Sequence, residues 1–186
     1  MNIPNMLTSI RIVMIPILVA TYYLPWEGRY VVCAAMFAIA AFTDWLDGYL
    51  ARKLNQATPF GAFFDPVADK VMVSVALVML VESYASTLMT IASVVIVSRE
   101  IVISALREWM AEMGKRASVA VSYIGKLKTA MQMLAIFILL GNKPGMPWAF
   151  WGEVVLILAA LLTLWSMYVY LKAAWPELTA SVADEK

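Results

Sequence analysis

The strongest constraint on this chain is its apolar runs. Six stretches, roughly 6–24, 30–51, 66–83, 87–111, 121–140 and 149–172, each approach the ~20 residues an α-helix needs to cross a bilayer. Of 186 residues, 63% are hydrophobic and only 15% charged, against about 25% charged in a soluble domain. The expectation is an all-α integral membrane protein of six transmembrane helices. One catalytic domain would cover 1–175, followed by a polar tail over 176–186. Breaks fall at "PWEGR", "NQATPFG", "ESYAST", "MGKRAS" and "GNKPGMPW". Pro4 and Pro66 suit first-turn positions, Asp65 suits the cap of the third span, and Pro16 should kink the first. No internal repeat is visible.

Basic residues set the orientation. If the N-terminus is cytoplasmic, every lysine and arginine except Arg29 and Lys143 falls on the cytoplasmic half. Inside-positive loops then put both termini in the cytoplasm. Trp26, Trp148 and Trp151 belong to the outer interface, Trp109 and Trp175 to the inner one. A net charge of +1 gives no basic field for nucleic acid. The single Cys33 excludes an intrachain disulfide, and the absence of histidine removes the commonest general base. The start "MNIPNMLTSIR" reads as the first helix and not as a cleaved leader.

Against this apolar background, "DWLDGYLARKLNQATPFGAFFDPVADK" places four aspartates, at 44, 47, 65 and 69. Asp44 and Asp47 are three apart and Asp65 and Asp69 four apart, so on helices each pair shares a face. The joining loop can bring all four to one depth near the cytoplasmic surface. Burial and mutual repulsion disfavour four ionised carboxylates there. Protonation or bound cations would relieve this, and all-oxygen ligands favour hard ions such as Mg²⁺, Mn²⁺ or Ca²⁺. The plainer reading is a set of interfacial charges paired with Arg52, Lys53 and Lys70. Four at helical spacing argue against it, because intramembrane carboxylates are by default functional. Gly48, Ala51 and Gly61, each one turn from an aspartate, leave that face without bulk, although small residues also serve helix packing.

Residues 44–69 fit the pattern D-x-x-D-G-x-x-A-R-x(8)-G-x(3)-D-x(3)-D at every fixed position. In this, and in "NIPNMLTSIRI" and "SREIVISALREWMAEMGKRASVAVSYIGKLKT", the chain resembles the CDP-alcohol phosphotransferase family of membrane enzymes. The resemblance implies a six-helix fold of that type, two divalent cations (Mg²⁺ or Mn²⁺) at Asp44, Asp47, Asp65 and Asp69, and Asp69 as general base. It implies CDP binding by Asn5, Thr8, Arg11, Asp44, Gly48, Ala51, Arg52 and Gly61. It further implies transfer of a phosphatidyl group from CDP-diacylglycerol to sn-glycerol 3-phosphate, with CMP as the other product. A homodimer among membrane lipids, in a bacterial inner membrane with its active site facing the cytoplasm, follows from the same resemblance. A binuclear centre suits in-line phosphoryl transfer, and without histidine a carboxylate is the available base.

The acceptor's own phosphate needs cations. Arg99 lies deep in an apolar run, where an isolated guanidinium is costly. Glu100 and Arg107 share a stripe and can pair. Lys126 and Lys128 sit ~200° apart around a helix, so only one points inward, and Lys126 is the expected one. Arg99, Arg107 and Lys126 are thus the expected acceptor-phosphate residues. Two alternatives stay open: the same chemistry with inositol phosphate, serine or phosphatidylglycerol as acceptor, and a divalent-cation transporter with the aspartates along its path.

Overall fold

In the computed structural model six helices follow one another: α1 (Ile3–Tyr23), α2 (Arg29–Lys53), α3 (Pro59–Tyr84), α4 (Thr87–Glu112), α5 (Tyr123–Leu140) and α6 (Pro147–Ala180). The structure describes residues 3–53, 59–112 and 123–180, with side chains except at 3–5, 45, 47–52, 59, 60, 62, 123, 124 and 176–180. Among the described residues three helices are long and apolar enough to cross a membrane, over Met6–Tyr23, Thr87–Glu112 and Pro147–Trp175. All six present large apolar side chains outward: Val13 on α1, Val31 on α2, Val78 on α3, Ile101 on α4, Leu134 on α5 and Trp165 on α6. A monomeric soluble protein rarely carries so much exposed apolar surface. Lipid solvates it without penalty, and the chain is a membrane protein.

Two boundaries differ from the sequence expectation. α3 begins at Pro59 and not at Pro66, so Asp65 lies inside the helix and does not cap it. Pro59 at the first position forfeits no intrahelical bond, and Pro66 within the helix removes one. Asp65 and Asp69 therefore sit one turn apart on continuous helix. At the other end of the chain α6 continues to Ala180, past residue 172 where the sixth span was expected to end.

Each helix turns its other face to a shared core. Leu18, Phe37, Leu77, Leu80, Ile96, Ile136, Leu139 and Leu156 are fully buried. α1 packs on α2 and α3, α3 also on α4 and α5, and α6 on α4 and α5. The α5–α6 hairpin turns at Gly145, whose φ of +86° suits a residue without Cβ. Tyr84 at the end of α3 donates to the carbonyls of Leu139 (3.0 Å) and Asn142 (3.1 Å), tying the same end together. Gly152 lets α6 lie close on α5, because a Cβ there would meet Leu139 Cγ at 2.8 Å. Gly152→Val should therefore destabilise the fold by ~1–3 kcal/mol through overpacking, seen as a lower unfolding temperature in detergent.

Candidate active site

The carboxylate end of the bundle is organised from α1. Thr8 and Arg11, three residues apart, are both fully buried and project from one face. Arg11 Nη1 donates to Asp44 Oδ1 on α2 at 2.6 Å. Thr8 Oγ1 donates to Asp65 Oδ1 on α3. One helix thus orients carboxylates on two others. Asp69, one turn beyond Asp65, lies within electrostatic reach of Asp44, Arg11, Glu100 and Lys70. Asp44 keeps 42% of its side chain exposed, so its engagement with Arg11 leaves it open to a ligand. Gly61 is buried one turn before Asp65. Asn5, Asp47, Gly48, Ala51 and Arg52 lie outside the residues whose side chains are described. Among the described residues no three acidic, histidine or cysteine side chains converge as a metal site requires. The donors present are all carboxylate oxygens, and they fit a hard divalent cation in kind.

A second polar cluster joins α4, α5 and α6. Arg99 and Lys128 are 5% and 4% exposed, and both end on the same oxygen. Arg99 Nη1 donates to Glu100 Oε1 at 2.8 Å and Lys128 Nζ to the same atom at 3.0 Å. Arg99 Nη2 reaches Ser166 Oγ at 3.3 Å, and its guanidinium lies 5.7 Å from the centre of the Tyr170 ring. Arg107 takes the same ring at 5.4 Å and donates to Tyr170 Oη at 3.4 Å. Arg99 Nε is buried without a hydrogen-bond partner among the described residues, a state that costs about 1–3 kcal/mol for a donor.

Two sequence expectations are corrected here. Lys128, not Lys126, faces inward; Lys126 is exposed. The buried stripe of α5 runs Gly125, Lys128, Gln132, Ile136, Leu139, stepping three or four residues at a time, and Lys126 falls off it. Glu100 pairs with Arg99 and Lys128 and not with Arg107. Seven residues along a helix is about 10 Å, too far for that contact to compete with closer cations.

The two clusters share a cavity of ≈ 80 Å³ lined by Asp69 and Lys70 of α3, Glu100 of α4, and Thr129 and Gln132 of α5. Lys70 Nζ donates to Ser104 Oγ, and Ser104 donates to the Glu100 carbonyl, fixing one wall. Among the described residues the α4 and α5 backbones do not approach each other closely, so the Glu100–Lys128 pair bridges the space between them. Sequence reasoning passed over Lys70, Lys128, Ser166 and Tyr170 as site residues and took Glu100 only as a partner for Arg107. The α5 stripe carried the signal for Lys128. Nothing in the α6 sequence marks Ser166 or Tyr170.

Residues 1–165 match the family model described as CDP-alcohol phosphatidyltransferase, and the chain belongs to that family. It is 54% identical over 180 residues, 96% of this chain and 92% of the relative, to a CDP-diacylglycerol–glycerol-3-phosphate 3-phosphatidyltransferase of Pseudomonas fluorescens. Proteins of the same name are similar at 54% identity over 173 residues in Salmonella choleraesuis (93% and 94% covered) and at 53% over 178 in Yersinia pestis (96% and 97%).

Because Arg11 is fully buried and ties α1 to α2 through Asp44, Arg11→Ala should cost about 2 kcal/mol. A lowered unfolding temperature, with the helical circular dichroism of the folded state retained, is the expected result.

Proposed function

We propose that the chain transfers the phosphatidyl group of CDP-diacylglycerol to sn-glycerol 3-phosphate, giving phosphatidylglycerol phosphate and CMP. The observation that carries the reading is one cavity with Asp69 on its wall and a buried Arg99–Lys128 cluster beside it. A reacting hydroxyl at one end and a phosphate at the other is what glycerol 3-phosphate offers. The relatives' names concern the same donor and acceptor.

In this reading Asp69 takes the proton of the acceptor hydroxyl as its oxygen attacks the diacylglycerol-bearing phosphorus. The bond from that phosphorus to the CMP oxygen breaks, and CMP leaves. Two divalent cations, Mg²⁺ or Mn²⁺, would be held by Asp44, Asp47, Asp65 and Asp69. When bound they supply charge compensation for the pyrophosphate and for the attacking and leaving oxygens. Thr8 and Arg11 orient Asp65 and Asp44 for this role. With Asn5, Gly48, Ala51, Arg52 and Gly61 they form the CDP side. Arg99 and Lys128 hold the acceptor phosphate by charge-assisted hydrogen bonds. Arg107 acts beside them through Tyr170. The six helices all span a bacterial inner membrane, with both termini and the site on the cytoplasmic side, as a homodimer. Water-soluble acceptor and CMP exchange from that side while the donor's tails stay in lipid.

Purified protein given labelled CDP-diacylglycerol should turn over with glycerol 3-phosphate and not with serine or inositol phosphate. Turnover with serine alone would overturn the reading. A chelator should abolish activity and Mg²⁺ or Mn²⁺ restore it. Asp69→Asn should lower kcat by roughly 10²–10⁴-fold, the range for a lost general base. Lys128→Gln should raise KM for glycerol 3-phosphate by about 10- to 100-fold, as loss of a charged hydrogen bond predicts. The same change at exposed Lys126 should move KM by less than about twofold.

A further inference from the structure

Two buried cations that end on one carboxylate oxygen, beside a cavity, form an anion site already filled by the protein. We infer that Glu100 occupies, in the substrate-free enzyme, the place of the acceptor's phosphate: it serves Arg99 and Lys128 as counter-anion and yields them when the phosphate arrives. The inference rests on the reading of Arg99 and Lys128 as the acceptor-binding cations.

Four observations carry it. Arg99 and Lys128 are each at least 95% buried, and cations so placed need an anion whether or not substrate is bound. Their donors converge on the single atom Glu100 Oε1, at 2.8 and 3.0 Å, as they would on one phosphate oxygen. Among the described residues Arg99 Nε stays buried and without a hydrogen bond, so the carboxylate leaves unmet a donor that a phosphate's further oxygens can meet. Finally, Glu100 stands on the wall of a cavity of ≈ 80 Å³ with its side chain 26% exposed, so it has somewhere to go. Because α4 and α5 do not otherwise approach closely among the described residues, the ion pair can open without unpacking a helix interface.

Glu100 thereby becomes a selectivity element. An acceptor without an anionic group has nothing to exchange for the carboxylate and must leave it in place. A phosphomonoester, carrying about −1.5 to −2 charge at neutral pH, displaces it. Selectivity of this kind works by excluding the wrong ligand as much as by holding the right one.

The test is Glu100→Gln, which keeps the shape and removes the competing charge. In detergent, with no added phosphate, its unfolding temperature should fall below wild type. Inorganic phosphate should restore it, at a half-saturating concentration about tenfold lower than that for stabilising wild type. In turnover assays KM for glycerol 3-phosphate should fall in proportion, with kcat moving much less. A merely structural Glu100 predicts loss of stability that phosphate does not restore and a KM unchanged or raised, and that result overturns the inference. Glu100→Asp provides a second variant if Glu100→Gln does not fold. Its shorter side chain holds Lys128 less well, so KM below wild type supports the inference and KM at or above wild type refutes it. Phosphate stabilisation is read without acceptor turnover. Wild type inactive on glycerol 3-phosphate, with the phosphate response as expected, would sink the proposed function alone. Active wild type with no enhanced response in the variants would sink this inference alone.

Discussion

Everything in this bundle depends on matching buried charge from one helix to another. Arg11 is 1% exposed, yet its guanidinium meets Asp44 of a different helix at 2.6 Å. Arg99 and Lys128, on helices whose backbones stay apart among the described residues, meet at Glu100. In hydrocarbon an unpaired ion of this kind costs several kcal/mol, so each pair is also an instruction about which helices must be neighbours. Apolar packing between helices gains little relative to lipid contact, which leaves polar pairs a larger share in specifying the arrangement. The site and the fold are thus secured by the same side chains.

The two clusters differ in the sign of the charge they gather. α1, α2 and α3 gather carboxylates and hold them from behind with Thr8 and Arg11. α4, α5 and α6 gather cations and hold them with Glu100, Ser166 and Tyr170. The cavity between α3, α4 and α5 carries a member of each set on its wall, Asp69 of the first and Glu100, the counter-anion of the second. The proposed transfer between a nucleotide-bearing lipid and a phosphate-bearing alcohol would use this division. The donor's pyrophosphate must be met by positive charge near the carboxylates, and the acceptor's phosphate must be kept apart from those carboxylates by cations of its own.

Much of this was legible in the sequence. The i, i+3 and i, i+4 spacing of the aspartates requires only that the segments be helical, and local periodicity survives an error in where a helix starts. That is why Asp65 and Asp69 keep their shared face although α3 begins at Pro59. The inward lysine was misassigned because the choice turns on the phase of α5, and neighbouring charges do not set the phase. The apolar stripe ending at Leu139 does, and it leads back through Ile136 and Gln132 to Lys128. The partners of Glu100 were not legible at all. One of them comes from α5, and no local rule in α4 points there.

Tyr170 shows what remained out of reach and why it matters. Arg99 and Arg107 are eight residues apart, about 12 Å along α4. The Tyr170 ring lies 5.7 Å from the Arg99 guanidinium and 5.4 Å from that of Arg107. Its faces attract both cations, and its hydroxyl accepts from Arg107. Among the described residues Arg107 meets this ring and not a carboxylate, whereas Arg99 also pairs with Glu100. An aromatic ring is thus the better neighbour for Arg107, because it steadies positive charge without supplying a negative one. Among the described residues the carboxylate this cluster contains is Glu100, and it is the group at the cavity wall, where the inferred exchange with an anion would take place.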